Sequence, residues 1–214
     1  ILLRYFKGLT QERAARVLQM HPDSLAHRAY VYGFLCHFAL DTLSHDYVAE
    51  KEAASGLSHA RIESELERAL MLRDGLDPAS HRPTGHLVPS KENAAVIADF
   101  FPEVTQEQVL DSLRGMVFYL DLLVAPSALK RWVIFTALRL AGQFEKLGGL
   151  VVGPDPEPRC EDSNAELLRR FDKAAELAAR LIGDFDRVVE SGQAEDPIYG
   201  RTFDPKPEQE AANA

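Results

Sequence analysis

The sequence predicts an all-α fold, a compact multi-helix domain, on three observations. Apolar residues recur every three or four positions through the long segments, as in Val109, Leu113, Val117, Leu120 and Leu123, which is the period of a packed helix. Short breaks rich in Pro, Gly, Ser and Asp separate those segments: His21-Pro22-Asp23-Ser24, Gly56-Leu57-Ser58 and Asp74-Gly75-Leu76-Asp77-Pro78. No stretch alternates apolar and polar residues in the manner of a half-buried strand.

Taken in order, Thr10-Gln-Glu-Arg opens a short helix to about Met20, with Thr10 as its N-cap. A long helix follows from about Ser24 to Val48. Ala49–Leu57 reads as looser, and Ser58 caps a helix from His59 to about Arg73, whose packed face is Ile62, Leu66, Ala69 and Leu70. Ala79–Pro89 is a polar connection in which His81 and His86 read as exposed. Ser90-Lys-Glu-Asn caps a helix through Phe100, and another runs from Thr105 to about Val124. Pro126 starts a helix reaching Leu147 whose stripe of Trp132, Phe135, Leu138 and Phe144 reads as core, a membrane-touching face being the other reading. Arg131 and Arg139 are readable as phosphate binders or as surface charges. Gly148 through Pro158 reads as flexible, a lid or a connector. Asn164 to about Glu190 is the last long helix, with Leu167, Leu168, Phe171, Ala175, Leu181 and Phe185 on its apolar side. The expected organisation is one helical domain over 1–192 and a polar tail over 193–214.

At 214 residues the chain is long enough for a sizeable core, and 46% hydrophobic with 27% charged residues is a globular composition. A net charge of −9 argues against a generic nucleic-acid groove, since such binding needs Lys and Arg against phosphates. Bound metal ions would supply positive charge that this count omits. Two cysteines, Cys36 and Cys160, make no disulfide framework or CxxC site, and Cys36 reads as a buried thiol beside His37. No apolar run approaches transmembrane length, and no signal peptide is visible.

The chemistry concentrates in Val31–Glu67, which carries His37, Asp41 and His45 at spacings of four, then His59 and Glu63, again four apart. Residues four apart share a helix face, so each adjacent pair can aim two side chains at one ion. His37 and His45 are separated by roughly 12 Å along the axis, with Asp41 between them. This suggests two metal positions, Asp41 reaching toward one or both, and a second helix supplying His59 and Glu63. Imidazole with carboxylate is the ligand set of zinc and related ions. The apolar neighbours of His37 imply burial, where an unpartnered Asp or His is costly; a satisfied hydrogen-bond network is the alternative to a metal.

The pattern His37-x3-Asp41-x3-His45-x13-His59-x3-Glu63, within GFLCHFALDTLSH and LSHARIESELE, resembles the zinc-dependent phospholipase C family of bacteria, related in fold to the S1/P1-type nucleases. The resemblance implies that His45, His59 and Glu63 ligate one zinc, that His37 ligates a second, and that Asp41 bridges the second and a third. It also implies an upstream His, for which His21 and His27 are available, each equally readable as a helix-terminus or surface residue. The chain begins at Ile1, and ILLRYF resembles a run that follows a Gly-Pro-Asp turn in short family members. The expectation is therefore a missing N-terminal segment bearing a His and an Asp, and low activity without it.

The implied activity is hydrolysis of a phosphate ester by zinc-activated water, one to three Zn2+ ions being held and Asp41 serving catalysis. A phospholipid or other phosphate ester is the expected substrate, with peripheral membrane contact and nucleic acid a weaker candidate. The alternatives are an S1/P1-like nuclease and a non-catalytic, metal-stabilised helical binding domain. Location reads as soluble, cytoplasmic or secreted.

Overall fold

The computed structural model describes residues 11–191 and Ile198. The expected Thr10 cap, the Ile1 run and, Ile198 apart, the polar tail lie outside these residues. The helices are α1 Gln11–Met20, α2 Leu25–Ser55, α3 His59–Arg73, α4 Lys91–Asp99, α5 Gln106–Leu123, α6 Ala128–Leu140, the single turn α7 Phe144–Leu147, and α8 Glu161–Ser191. Short 3-10 turns occupy Pro83–His86, Gly148–Leu150 and Pro158–Cys160.

The all-α class is as expected, with no strand among the described residues. The narrower label, a phospholipase C/P1-nuclease-like domain, is corrected. The described residues form helices and short turns in two compact units, each with its own small core, and the five ligands that label required are not gathered into one group.

Among the described residues the first unit comprises 11–46, 90–112, 171–191 and Ile198. Its core is built from residues at helical spacing: Val17 and Leu18 of α1, Val31, Leu35 and Phe38 of α2, Phe100 just after α4, and Leu181 and Phe185 of α8. Ser90 caps α4 as expected, its hydroxyl accepting the Asn93 N–H at 3.0 Å. Arg28 of α2 meets Asp186 of α8 at 2.7 Å outside this apolar set.

The second unit comprises 47–89 and 113–170, with Val48, Leu57, Ile62, Cys160 and Leu167 as its core. The face that α3 buries is wider than the expected apolar stripe. Ile62 is buried and Leu66 packs half-buried against the core, but Ser64, Glu65, Arg68 and Met71 are buried as well, because this wider face meets a loop whose backbone offers carbonyls. Ser64 Oγ donates to the Gly149 carbonyl at 2.6 Å, and Arg68 Nη2 to that of Pro154 at 2.7 Å. The 148–158 segment that reads as flexible is thus fastened to α3. In the same unit Arg82 and Thr84 both bond Asp121, and these bonds, Arg82 first, hold the Asp121 carboxyl below the usual carboxylate range.

Gly149 explains how the loop comes so close. A Cβ there would stand 2.7 Å from the backbone nitrogen of Arg61 and 3.1 Å from its Cα. Helix backbone cannot step aside, so Gly149→Ala is expected to cost about 1–3 kcal/mol as an overpacking substitution, seen as a lower thermal midpoint. Gly153→Ala is the control: its nearest new neighbour is the Asp155 carbonyl oxygen at 3.8 Å, and the midpoint is expected to stay where it is.

The helix expected from Pro126 to Leu147 is broken. Gly142 takes φ +65, a left-handed conformation that ends α6, and α7 resumes at Phe144. None of the residues of α6 is buried. The reading of Trp132 as core is corrected accordingly, since Trp132 is 64% exposed. The reading of Cys36 as a buried thiol is also corrected: Cys36 is exposed, and the buried cysteine is Cys160.

Candidate metal centre

Among the described residues one group of three His, Cys, Asp or Glu side chains brings its ligand atoms within 4.8 Å of one another: His21, His27 and Asp99. Three helix ends of the first unit deliver them. His21 follows α1, its N–H donating back to the Val17 carbonyl at 3.0 Å. His27 lies in the first turn of α2, and Asp99 is the last residue of α4.

Asp99 Oδ2 is the meeting point, 3.0 Å from His27 Nε2 and 3.5 Å from His21 Nε2. The imidazoles are stacked, centroids 4.1 Å apart and planes 8° from parallel. His27 is 6% exposed and backed by Phe100. The His21 and Asp99 side chains keep 38% and 44% of their surface in solvent, so the group is closed on the His27 side and open on the other.

Ser24 sets the chemistry of His27. It precedes α2, accepts the His27 N–H at 3.4 Å and lies 2.7 Å from Nδ1. A hydroxyl can donate or accept. It can donate to Nδ1 when Nε2–H points at Asp99, and accept from Nδ1–H when the Nε2 lone pair is offered to an ion. Such an outer bond fixes ring orientation at metal sites.

The donor set fits a divalent transition metal. Two imidazoles and a carboxylate form a common three-ligand zinc set with a fourth position for water or substrate. A tetrahedral ion with ligands at about 2.0–2.2 Å spaces its ligand atoms roughly 3.3–3.6 Å apart. The observed 3.0 and 3.5 Å separations are close to that spacing, and the stacked rings, 8° from parallel, would have to turn toward each other for both lone pairs to meet one ion.

The five residues expected from sequence spacing are placed as follows. His37 and Asp41 are adjacent on α2, Nε2 to Oδ2 3.2 Å. The His37 side chain is 49% exposed, because α2 buries Val31, Leu35, Phe38 and Ala39 and His37 points off that face. Its apolar sequence neighbours therefore do not enclose it, and the inferred burial is corrected. His45 sits two turns on, half-buried. His59 opens α3 and bonds Glu63 Oε1 through Nε2 at 3.0 Å, while its Nδ1 is 3.7 Å from Glu52 Oε2. Glu63 also lines a cavity of about 250 Å³ with Glu67 and His81. The i,i+4 pairs exist as drawn from spacing, but none of these residues belongs to the three-ligand group.

Asp99 carried no motif. The one local signal is electrostatic: a carboxylate in the last turn of a helix faces the negative end of the helix dipole, a position that favours a cationic partner.

Comparison with protein-family models, curated proteins and solved structures finds no match for this chain. The resemblance to zinc-dependent phospholipases C and S1/P1 nucleases is therefore corrected. It rested on spacing within one fifth of the chain, and neither an independent match nor a gathered ligand set accompanies that spacing.

Proposed function

We propose that this protein is a metal-dependent hydrolase that binds one divalent transition-metal ion, zinc by ligand chemistry, through His21, His27 and Asp99. The observation that carries the reading is the convergence of two Nε2 atoms on one carboxylate oxygen, with Ser24 holding the far nitrogen of His27. When bound, such an ion supplies Lewis acidity for hydrolysis of an ester. His27 and Ser24 fix the buried wall, Asp99 supplies the negative charge, and the solvent-open side of His21 and Asp99 admits a substrate. Phosphate esters are the substrate class we favour. A chain of net charge −9 needs a local cation to hold an anionic ester, and this site would provide one.

The test is metal content of the full chain purified without chelator, followed by turnover of a chromogenic phosphodiester and phosphomonoester. About one equivalent of zinc is expected, as for a single three-ligand site. His27→Ala and Asp99→Asn should lose it, and His59→Ala with Glu63→Ala should keep it. Equal metal in the wild type and His27→Ala would sink the site. Metal lost in His27→Ala, with turnover absent in every form, would leave the site standing and reject the hydrolase.

The arrangement also supports a structural ion, because one ion here would tie together three helix ends. That reading expects a marked fall in thermal midpoint on adding chelator and no turnover.

A further inference from the structure

We infer that the α5–α6 hairpin of the second unit is a docking surface for an anionic lipid bilayer. On α6, Leu129, Trp132, Val133 and Leu140 are 70%, 64%, 50% and 85% exposed. At 3.6 residues per turn they fall within roughly 100° of arc. This is a continuous stripe, where a solvated helix would carry charge. On α5, Phe118, Tyr119 and Leu122 are 63%, 64% and 48% exposed, and the rings of the first two meet edge to face with centroids 5.3 Å apart. Isolated exposed apolar residues are ordinary, but seven on two successive helices are the pattern of a surface built to be covered.

Charge selects the occupant. From Leu122 to Phe144 the sequence holds Lys130, Arg131 and Arg139 and no Asp or Glu, in a chain whose net charge is −9. Counting 100° per residue, Arg139 flanks the apolar stripe on the Trp132 side with its guanidinium over the Phe144 ring at 4.1 Å, and Lys130 flanks it on the other with its Nζ donating to the Val124 carbonyl at 2.6 Å. Neither partner is a carboxylate, so both charges stay uncompensated and a headgroup phosphate would draw them from these neutral contacts. Arg131 lies on the opposite side of the helix, where it donates to the Ala125 carbonyl at 2.9 Å. A stripe of aliphatic and aromatic side chains bordered by cations is how a helix lies in the plane of a bilayer interface, with long basic side chains reaching headgroup phosphates. Trp and Tyr favour that same depth. The acids next to the segment do not cancel its charge: Asp121 is taken up by Arg82 and Thr84, and Glu145 lies beyond Phe144.

No single described helix is long and apolar enough to cross a membrane; α5 and α6 reach that length and apolarity only as a pair bent by 119°, and the docked pair lies in the interface. A second copy of the chain is a poorer occupant. A two-fold contact sets a patch against itself, which here places cations against cations with no carboxylate of the stripe to receive them.

Trp132 is the one tryptophan of the chain, so its emission reads the stripe without a label. The full chain is mixed with vesicles of phosphatidylcholine alone and of phosphatidylcholine with phosphatidylglycerol, and binding is followed by sedimentation and by Trp132 emission. Binding with a blue shift is expected on the anionic vesicles, quenched by lipids brominated in the upper acyl chain and weakened by salt. Leu129→Ser with Val133→Ser and Leu140→Ser should weaken it by about tenfold or more, with the helical circular dichroism unchanged because these side chains are exposed. Lys130→Gln with Arg139→Gln should remove about tenfold of the preference for anionic over neutral vesicles. Unshifted, unquenched Trp132 emission with both vesicle types would overturn the inference, as would full binding by the triple serine variant. A blue-shifted emission without lipid that reverts on dilution, with a dimer in sedimentation velocity, would assign the face to a second copy and also overturn it.

Discussion

Glu65→Ala is expected to destabilise the second unit by about 3 kcal/mol, at the lower end of the range for breaking a buried ion pair. Glu65 is 1% exposed. One carboxylate oxygen lies 3.0 Å from Arg61 Nη2, and the other accepts the Glu157 N–H at 3.2 Å. Truncation strips both partners at once. The lower end applies because the Arg61 side chain keeps 24% of its surface exposed and can turn partly to water, whereas the Glu157 N–H loses its acceptor. Glu65→Gln should fall between alanine and wild type, since the amide carbonyl can still accept from Glu157 while its NH2 group confronts Arg61. Urea unfolding by circular dichroism measures this, and a loss under about 1 kcal/mol for the alanine variant, the size of a surface pair, would refute the account.

Phe100→Ala is expected to cost about 3–5 kcal/mol, the range for emptying a large aromatic site. Phe100 is 0% exposed, and its ring lies 4.8 Å from that of Tyr30 and 5.8 Å from that of His27 by centroid. It also follows Asp99 directly, so the loss reaches past stability. Without it, the closed wall behind His27 and the position of the Asp99 carboxylate both loosen, and metal should be retained less well even in the folded fraction. Phe100→Leu should restore most of the stability. Near-wild-type denaturation together with wild-type metal content in Phe100→Ala would contradict both roles.

Much of the helix pattern was legible because its signals are local. α3 begins at His59 after Ser58, although the Ser58 hydroxyl makes no capping bond, and stops at Arg73 before Asp74-Gly75, as its breaker residues indicate, and α1, α4 and α5 lie within a residue or two of expectation. α2 runs to Ser55, past the expected Val48, because Ala49-Glu50-Lys51-Glu52-Ala53-Ala54 consists of strong helix formers. What sequence did not disclose is long-range. His27 and Asp99 are 72 positions apart, so no spacing rule joins them. His37, Asp41 and His45 stand at ligand spacing yet share a helix whose buried side is elsewhere. Periodicity likewise marked an apolar face around Trp132, but it carries no information on whether other residues cover that face.

The burial of Cys160 gives the second unit a clock. Cys36 is exposed and Cys160 is not, and burial pushes the Cys160 thiol up, away from the reactive thiolate. In a Cys36→Ser background a thiol reagent therefore has a single target, reachable only during excursions that part Cys160 from Ile62 and Leu167, its companions in that core. The labelling rate then reports how often that core opens while the protein is otherwise native. Glu65→Ala should quicken it strongly, and Phe100→Ala, which lies in the other core, should quicken it only as far as opening one unit releases the other. The ratio of the two rates measures their cooperativity, a quantity no static distance contains.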